Sequence, residues 1–249
     1  MDLQVGQSGG LFFEGALLTP DVRSFTQMHD VLFTPCEEKI SGTYYMHRSV
    51  MRLQDAPLFE KTHLRHDITI VPSLDLCGEF NKTYGHYHEM SDARYSFPEL
   101  YEVLAGEALY LLQKRGTRDD ETPSVYAVRT REGEKLIVPP NYGHVTINAS
   151  KELLVMDNLV EAFFKSDYSA FKANRGAAYY YSTEKKWIAN AHYKNSAQLV
   201  ELSSDEFNKR VNSKLARELS ESNSYGLFLK KPALFEFLAK PSKIDWQIY

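Results

Sequence analysis

From about Tyr44 to Leu159 the hydrophobic positions fall in short runs: Ile68–Val71, Leu100–Leu104, Ala108–Leu112, Val125–Val128, Leu136–Val138 and Leu153–Met156. Glycine, proline or charged turns separate them. Short strands punctuated in this way predict an all-β sandwich or barrel rather than an α/β sheet. Residues 1–35 carry no regular pattern, apart from a short helix predicted over Asp21–Val31 between Thr19-Pro20 and Thr34-Pro35. The charged stretch Lys114–Pro123 reads as a solvated hairpin connection. The last third has a different texture. Ser203-Ser-Asp-Glu206 forms a capping box, and Phe207, Val211, Leu215 and Leu219 follow at four-residue spacing, predicting one amphipathic helix of about four turns. A second apolar cluster, Leu234, Phe235, Phe237 and Leu238, lies between Pro232 and Pro241. The pattern divides the chain into an N-terminal segment (1–40) packing on a barrel, the barrel itself (41–190), and a partly helical C-terminal extension (191–249).

Composition narrows the function classes. With 43% hydrophobic and 25% charged residues, the 249-residue chain can bury a core. The net charge of −4 argues against non-specific nucleic-acid binding, which needs a basic face. Thirteen per cent aromatic residues favour strands. No run approaches the ~18 apolar residues of a membrane span, and no basic residue precedes Arg23 as a secretory signal would require. The expectation is a soluble, cytoplasmic protein that engages no membrane. Cys36 and Cys77, far apart and outside any C-x-x-C, read as two separate thiols.

The candidate chemistry sits in two places. In Gly85-His86-Tyr87-His88 a strand directs both imidazoles to one face, because side chains two apart share a side. Such a pair can begin a transition-metal site, although by itself it is more often a surface or packing feature than a ligand pair. In Glu99–Gly106 the same alternation groups Glu99, Tyr101 and Val103. If Val103 faces a barrel interior, Glu99 does too, and a buried carboxylate needs a proton, a partner or a cation. The second place, Gly133 to Asn148, reads as a strand, a Pro139-Pro140 turn and a second strand carrying His144, together a hairpin.

These residues resemble the two motifs of the cupin superfamily. Gly78, His86, His88, Glu99 and Gly106 match the first; Gly133, Pro139, His144 and Asn148 match the second residue for residue. One departure is the ten-residue stretch Glu89–Pro98 between His88 and Glu99, longer than in many cupins and expected as a loop at the barrel mouth. Lys82–His88, the Glu99-x-Tyr101-x-x-Leu104-x-Gly106 strand, Pro139-Pro140-x-x-x-His144, Asp67-Ile-Thr69-Ile and Asp167-Tyr168 are similar to the cupin-type glucose-6-phosphate isomerases. Where family members often carry a histidine before the Asp-Tyr pair, this chain has Ser166.

The resemblance implies a mainly β fold, a jelly-roll-like cupin β-barrel with a C-terminal helical extension. It implies one divalent metal ion on His86, His88, Glu99 and His144, with Fe(II) favoured and Mn, Ni or Zn acceptable. It further implies that the enzyme interconverts glucose 6-phosphate and fructose 6-phosphate in glycolysis and gluconeogenesis, as a homodimer. Glu99 and Tyr101 would be catalytic, and Thr69, Thr83, Gly85 and Tyr168 would contact the sugar phosphate through hydroxyls and a backbone N–H. No Gly-rich phosphate loop and no Lys/Arg cluster is evident in the sequence. The same ligands would also serve an Fe(II) dioxygenase, and the same cavity a non-catalytic sugar-binding cupin.

Overall fold

The computed structural model describes residues 3–6, 9–37 and 40–248, so the segments 1–40 and 191–249 are described apart from Met1, Asp2, Gln7, Ser8, Glu38, Lys39 and Tyr249. Two sheets dominate. The larger is fully antiparallel, in the order Lys135–Val138, Glu99–Ala105, Leu154–Glu161, Leu64–Val71, Tyr44–His47, Asp21–Arg23. The smaller runs Tyr142–Ile147, Glu107–Lys114, Val125–Arg131, Leu199–Ser203, with the last strand parallel to its neighbour. The sheets meet face to face: the Tyr110 ring of the smaller lies 5.3 Å from the Tyr101 ring of the larger, tilted by 43°, and its hydroxyl donates to Met156 Sδ at 3.3 Å. This is the cupin barrel, and each of the six predicted runs lies in or overlaps one of its strands.

The turn chemistry explains the change of sheet. Gly106, at φ 82°, reverses the chain between Glu99–Ala105 and Glu107–Lys114, which belong to opposite sheets. Pro139-Pro140 does the same between Lys135–Val138 and Tyr142–Ile147. The expected hairpin at this second place is therefore corrected. Proline lacks the N–H that would continue a ladder, so the two strands diverge instead of pairing.

The ends of the chain also differ from the sequence reading. Leu3–Val5, Leu11–Phe13 and Ala16–Leu18 form a small sheet where irregular chain was expected. The helix predicted over Asp21–Val31 starts later: Asp21–Arg23 pairs with Tyr44–Met46, and only Phe25–Met28 is α-helical, capped by Ser24 with Gln27. Asp21–Arg23 and Leu199–Ser203 both join the large sheets, so the barrel extends beyond 41–190 on each side. The helical run Ser204–Leu219 begins at the Ser203–Glu206 capping box as anticipated, but Asn212 leaves helical geometry and breaks it in two. Leu234 is half-buried, while Phe235, Phe237 and Leu238 are buried in the main core with Phe207, Val211, Leu215 and Leu219. Cys36 and Cys77 are joined as a disulfide with Cα atoms 6.3 Å apart, not separate thiols. Forty-one positions of sequence separate them, and only the wrapping of the N-terminal segment onto the Leu74–Gly78 turn brings them together. No helix among the described residues is long and apolar enough to cross a membrane.

Candidate metal centre and substrate cavity

His86 and His144 face each other across a backbone bridge, His86 N–H to His144 O at 3.3 Å and the reverse at 3.1 Å. Gly85 makes this approach possible. Its φ is 85°, and a Cβ there would stand 2.6 Å from Phe171 and from Val145. His88 follows in the two-residue strand Tyr87–His88, which pairs with Ser166–Asp167. Tyr87 points the other way: its hydroxyl accepts from Gln113 Nε2 at 2.9 Å, and its ring lies 5.3 Å from Phe171. The predicted alternation of side chains is thus realised.

Glu99 enters from the large sheet and completes a cluster in which one ligand atom each of His86, His88, Glu99 and His144 lies within 4.8 Å of the others. Atoms bound at ~2.1 Å to one ion stand roughly 3–4 Å apart; the His86–His88, His88–Glu99 and His144–Glu99 separations of 3.2, 3.3 and 3.3 Å fall in that range, and the outer limit of 4.8 Å lies somewhat above it. The orientation of the donors supports the same fit. Glu99 Oε2 is buried, 3.3 Å from Nε2 of both His88 and His144, yet has no partner in good hydrogen-bond geometry. Nε2 of His86 and of His88 stand 3.2 Å apart and Nε2 of His144 lies 3.2 Å from the Tyr101 hydroxyl, so the donor atoms crowd one small volume in which Glu99 Oε2 is left unpaired. His88 Nδ1 lies 2.8 Å from Phe97 O, a contact that places the proton on Nδ1 and leaves the Nε2 lone pair free. Phe97 belongs to Glu89–Pro98, so the insertion is a structured element. It closes through Met90↔Ser96, and Ser96 N–H and Arg94 O bond the Asn141 side chain.

Protonation states suit a cation. Burial, reinforced by the neighbouring imidazoles of His144 and His88, holds His86 well below the usual histidine range. Burial also lowers His144. Glu99 resists its own burial through contacts with His144 and His88 and stays well below the carboxylate range. The result is a carboxylate among imidazoles with accessible lone pairs. Tyr101, buried beside Glu99, is pushed well above the phenol range and remains protonated, with its hydroxyl 3.2 Å from His144 Nε2.

A cavity of about 330 Å³ opens above the cluster, within the range of small-molecule sites, roughly 300–1,000 Å³. Its lining includes all four sequence-assigned contact residues, Thr69, Thr83, Gly85 and Tyr168, together with Glu99 and Tyr101. Thr83 Oγ1 accepts from Thr146 N–H at 2.9 Å, which leaves its own proton available to donate. Ser166, the departure noted before the Asp-Tyr pair, lines the cavity. The sequence reading missed Arg48, Arg65, Met156 and Asn158, which also line it. A signal existed for Arg65: it alternates with Asp67 and Thr69 on one strand and so shares the inward face. None existed for Arg48, which lies just past the end of its strand.

The sequence profile described as "Glucose-6-phosphate isomerase (GPI)" matches residues 25–198, more than two thirds of the chain. The chain belongs to this family. Its motifs and barrel make it a cupin-type member. No curated protein matches the sequence. Among solved structures, an oxalate oxidase is 17% identical over 55% of this chain and 57% of its own, with a TM-score of 0.35. An oxalate decarboxylase from Lactobacillus farciminis is 14% identical over 54% and 32%, at 0.36. Procruciferin, the 11S globulin of Brassica napus, is 13% identical over 50% and 26%, at 0.35. The chain thus spans between about a quarter and somewhat over half the length of these proteins, and likenesses this distant carry no argument about its chemistry.

Proposed function

We propose that this family member is a metal-dependent aldose–ketose isomerase that interconverts glucose 6-phosphate and fructose 6-phosphate, working as a homodimer in glycolysis and gluconeogenesis. The observation that carries the reading is the convergence of three histidines and Glu99 on one centre at the floor of a cavity lined with hydroxyls and guanidinium groups. A divalent ion on His86, His88, Glu99 and His144 supplies Lewis-acid polarisation of a sugar carbonyl, which lowers the barrier to removing the neighbouring proton.

The chain's own residues do the rest. Glu99, ionised and buried at the cavity floor, takes the proton from one carbon and returns it to the next, carrying the sugar through a cis-enediolate. Tyr101 keeps its proton, and with His144 Nε2 taken up as a ligand its hydroxyl, 3.2 Å from that nitrogen, would be released to donate to a substrate oxygen. Thr69, Thr83, the Gly85 N–H and Tyr168 hold the phosphate so that C1 and C2 rest over the floor. The barrel walls keep bulk water from the reacting carbons.

The test is to strip the purified protein of metal, restore Fe(II), Mn(II), Ni(II) or Zn(II) one at a time, and assay conversion of fructose 6-phosphate with oxygen uptake recorded in parallel. Metal-restored turnover without oxygen uptake is the expected result. Oxygen consumption in place of isomerisation would transfer the protein to the dioxygenase reading. Sugar-phosphate binding without turnover in any metal form would leave a sugar-binding cupin.

A further inference from the structure

The fold assembles a cationic wall that no stretch of sequence displays. Arg23, Arg48 and Arg65 come from three separate segments and converge around the cavity. The buried carboxylate among them is Asp67, which accepts from Arg48 Nη1 at 2.8 Å, from Arg65 Nε at 2.9 Å and from Ser49 N–H at 2.9 Å. Among the charged residues that line the cavity, Arg48 and Arg65 outnumber Glu99, inside a chain of net charge −4, while Asp67 lies behind the two arginines and Arg23 behind the Tyr44 and Tyr168 rings.

The three arginines are not equivalent. Arg65 is committed: Nη1 donates to Ala162 O at 2.9 Å, and the guanidinium lies 5.9 Å over the Phe164 ring. Arg23 is caged by phenols. It lies 5.8, 5.5 and 5.6 Å over the rings of Tyr44, Tyr84 and Tyr168 and donates to Tyr44 Oη at 3.1 Å. Arg48 is different. One nitrogen is held by Asp67, Nε is 3.7 Å from the well-exposed Asp21, and among the described residues Nη2 meets Met46 Sδ alone, at 3.2 Å. A thioether is a weak acceptor, so this half-exposed charged donor, which lines the cavity, gives up little besides water when a stronger acceptor enters. Asp67 fixes the other edge of the fork, and little ordering is left to do on binding. Met46 pairs with Thr69 across the sheet, and Arg48 follows two residues on, just past the strand's end, beside a phosphate contact expected from the sequence.

We propose that Arg48 is the specificity-determining residue that selects a phosphorylated sugar over its neutral parent, by exchanging Met46 Sδ for a phosphoryl oxygen. The inference rests on the isomerase reading for the identity of the substrate. Threonine hydroxyls and a backbone N–H can hold a phosphate in place, but being neutral they offset little of the cost of taking a dianion out of water. A guanidinium supplies that compensation and a planar fork that matches two phosphoryl oxygens.

Arg48→Met and Arg48→Lys test it by two readouts. The first is the ratio of kcat/KM for fructose 6-phosphate to that for fructose in the metal-loaded enzyme. The second is calorimetric affinity for inorganic phosphate in the metal-free protein. For Arg48→Met both the ratio and the phosphate affinity should fall about 10- to 100-fold. For Arg48→Lys, which keeps a charge beside Asp67 but loses the fork, they should fall about 3- to 10-fold. If Arg48→Met fails to fold, Arg48→Lys decides alone. A wild-type ratio and wild-type phosphate affinity in a folded variant overturn the proposal, as does wild-type protein that binds no phosphate. If the wild type isomerises neither sugar, the isomerase reading fails on its own. Loss of phosphate binding in the variants would still assign Arg48 as the anion site.

Discussion

Replacing Gly85 with alanine separates two reasons for a glycine beside the candidate metal centre. The φ of 85° is left-handed, which costs an L-residue about 1–2 kcal/mol. The added methyl would also stand 2.6 Å from Phe171 and from Val145, both buried, and such overpacking costs about 1–3 kcal/mol. Together Gly85→Ala should lose about 2–5 kcal/mol, or about 4–20 °C in Tm at the 2–4 °C per kcal/mol typical of this chain length. Gly133→Ala provides the comparison. It has nearly the same φ, 80°, but nothing within 4 Å of the added Cβ, so it carries the backbone cost alone. Urea melts of both variants give the packing contribution by difference. Because His86 is the next residue, Gly85→Ala should also lower metal occupancy, measured by elemental analysis, whereas Gly133→Ala should not. Equal destabilisation of the two variants would show that Phe171 and Val145 yield, and the argument that close packing sets the position of His86 would be wrong.

Glu99→Gln keeps the shape and one oxygen ligand but removes the base. Its kcat should fall by about 10²–10⁴, and the wild type in deuterated water should incorporate deuterium at C1 or C2 of the sugar; many turnovers without label would reduce Glu99 to a ligand. His144→Ala should lose bound metal and activity together while far-UV circular dichroism stays nearly unchanged, and full metal occupancy in that variant would remove His144 from the ligand set. His66, fully buried, has its pKa lowered by burial but raised overall by the Asp157 carboxylate 3.1 Å from Nε2. A raised folded pKa contributes stability that is complete below the unfolded value of about 6.5 and lost as pH rises through the folded value. The Tm advantage of wild type over Asp157→Asn should therefore shrink from acid to alkaline pH; a gap that is constant or widens with pH would contradict the pair's assigned role.

The sequence by itself determined which side chains share a face at the candidate metal centre, while the union of the histidine pair with Glu99 and His144 was what the motif resemblance implied. Two-residue alternation is a rigid property of a strand, so the spacing of His86 and His88, and of Glu99, Tyr101 and Val103, survives whatever surrounds them. The same holds for the Ser203–Glu206 cap, a purely local exchange of hydrogen bonds. What local pattern cannot carry is the relation between segments far apart in the chain. The Cys36–Cys77 pairing, the entry of Asp21–Arg23 and Leu199–Ser203 into the sheets, and the divergence of the strands flanking Pro139-Pro140 all depend on partners supplied by the assembled barrel. The cavity's charge is the clearest case. Arg23, Arg48 and Arg65 are separated by 25 and 17 positions and look like ordinary surface residues. Only the tertiary structure sets Arg48 and Arg65 on one buried carboxylate and Arg23 among three phenols beside them, because a long side chain's direction is decided by what it finds to pair with and not by its place in a hydrophobic pattern.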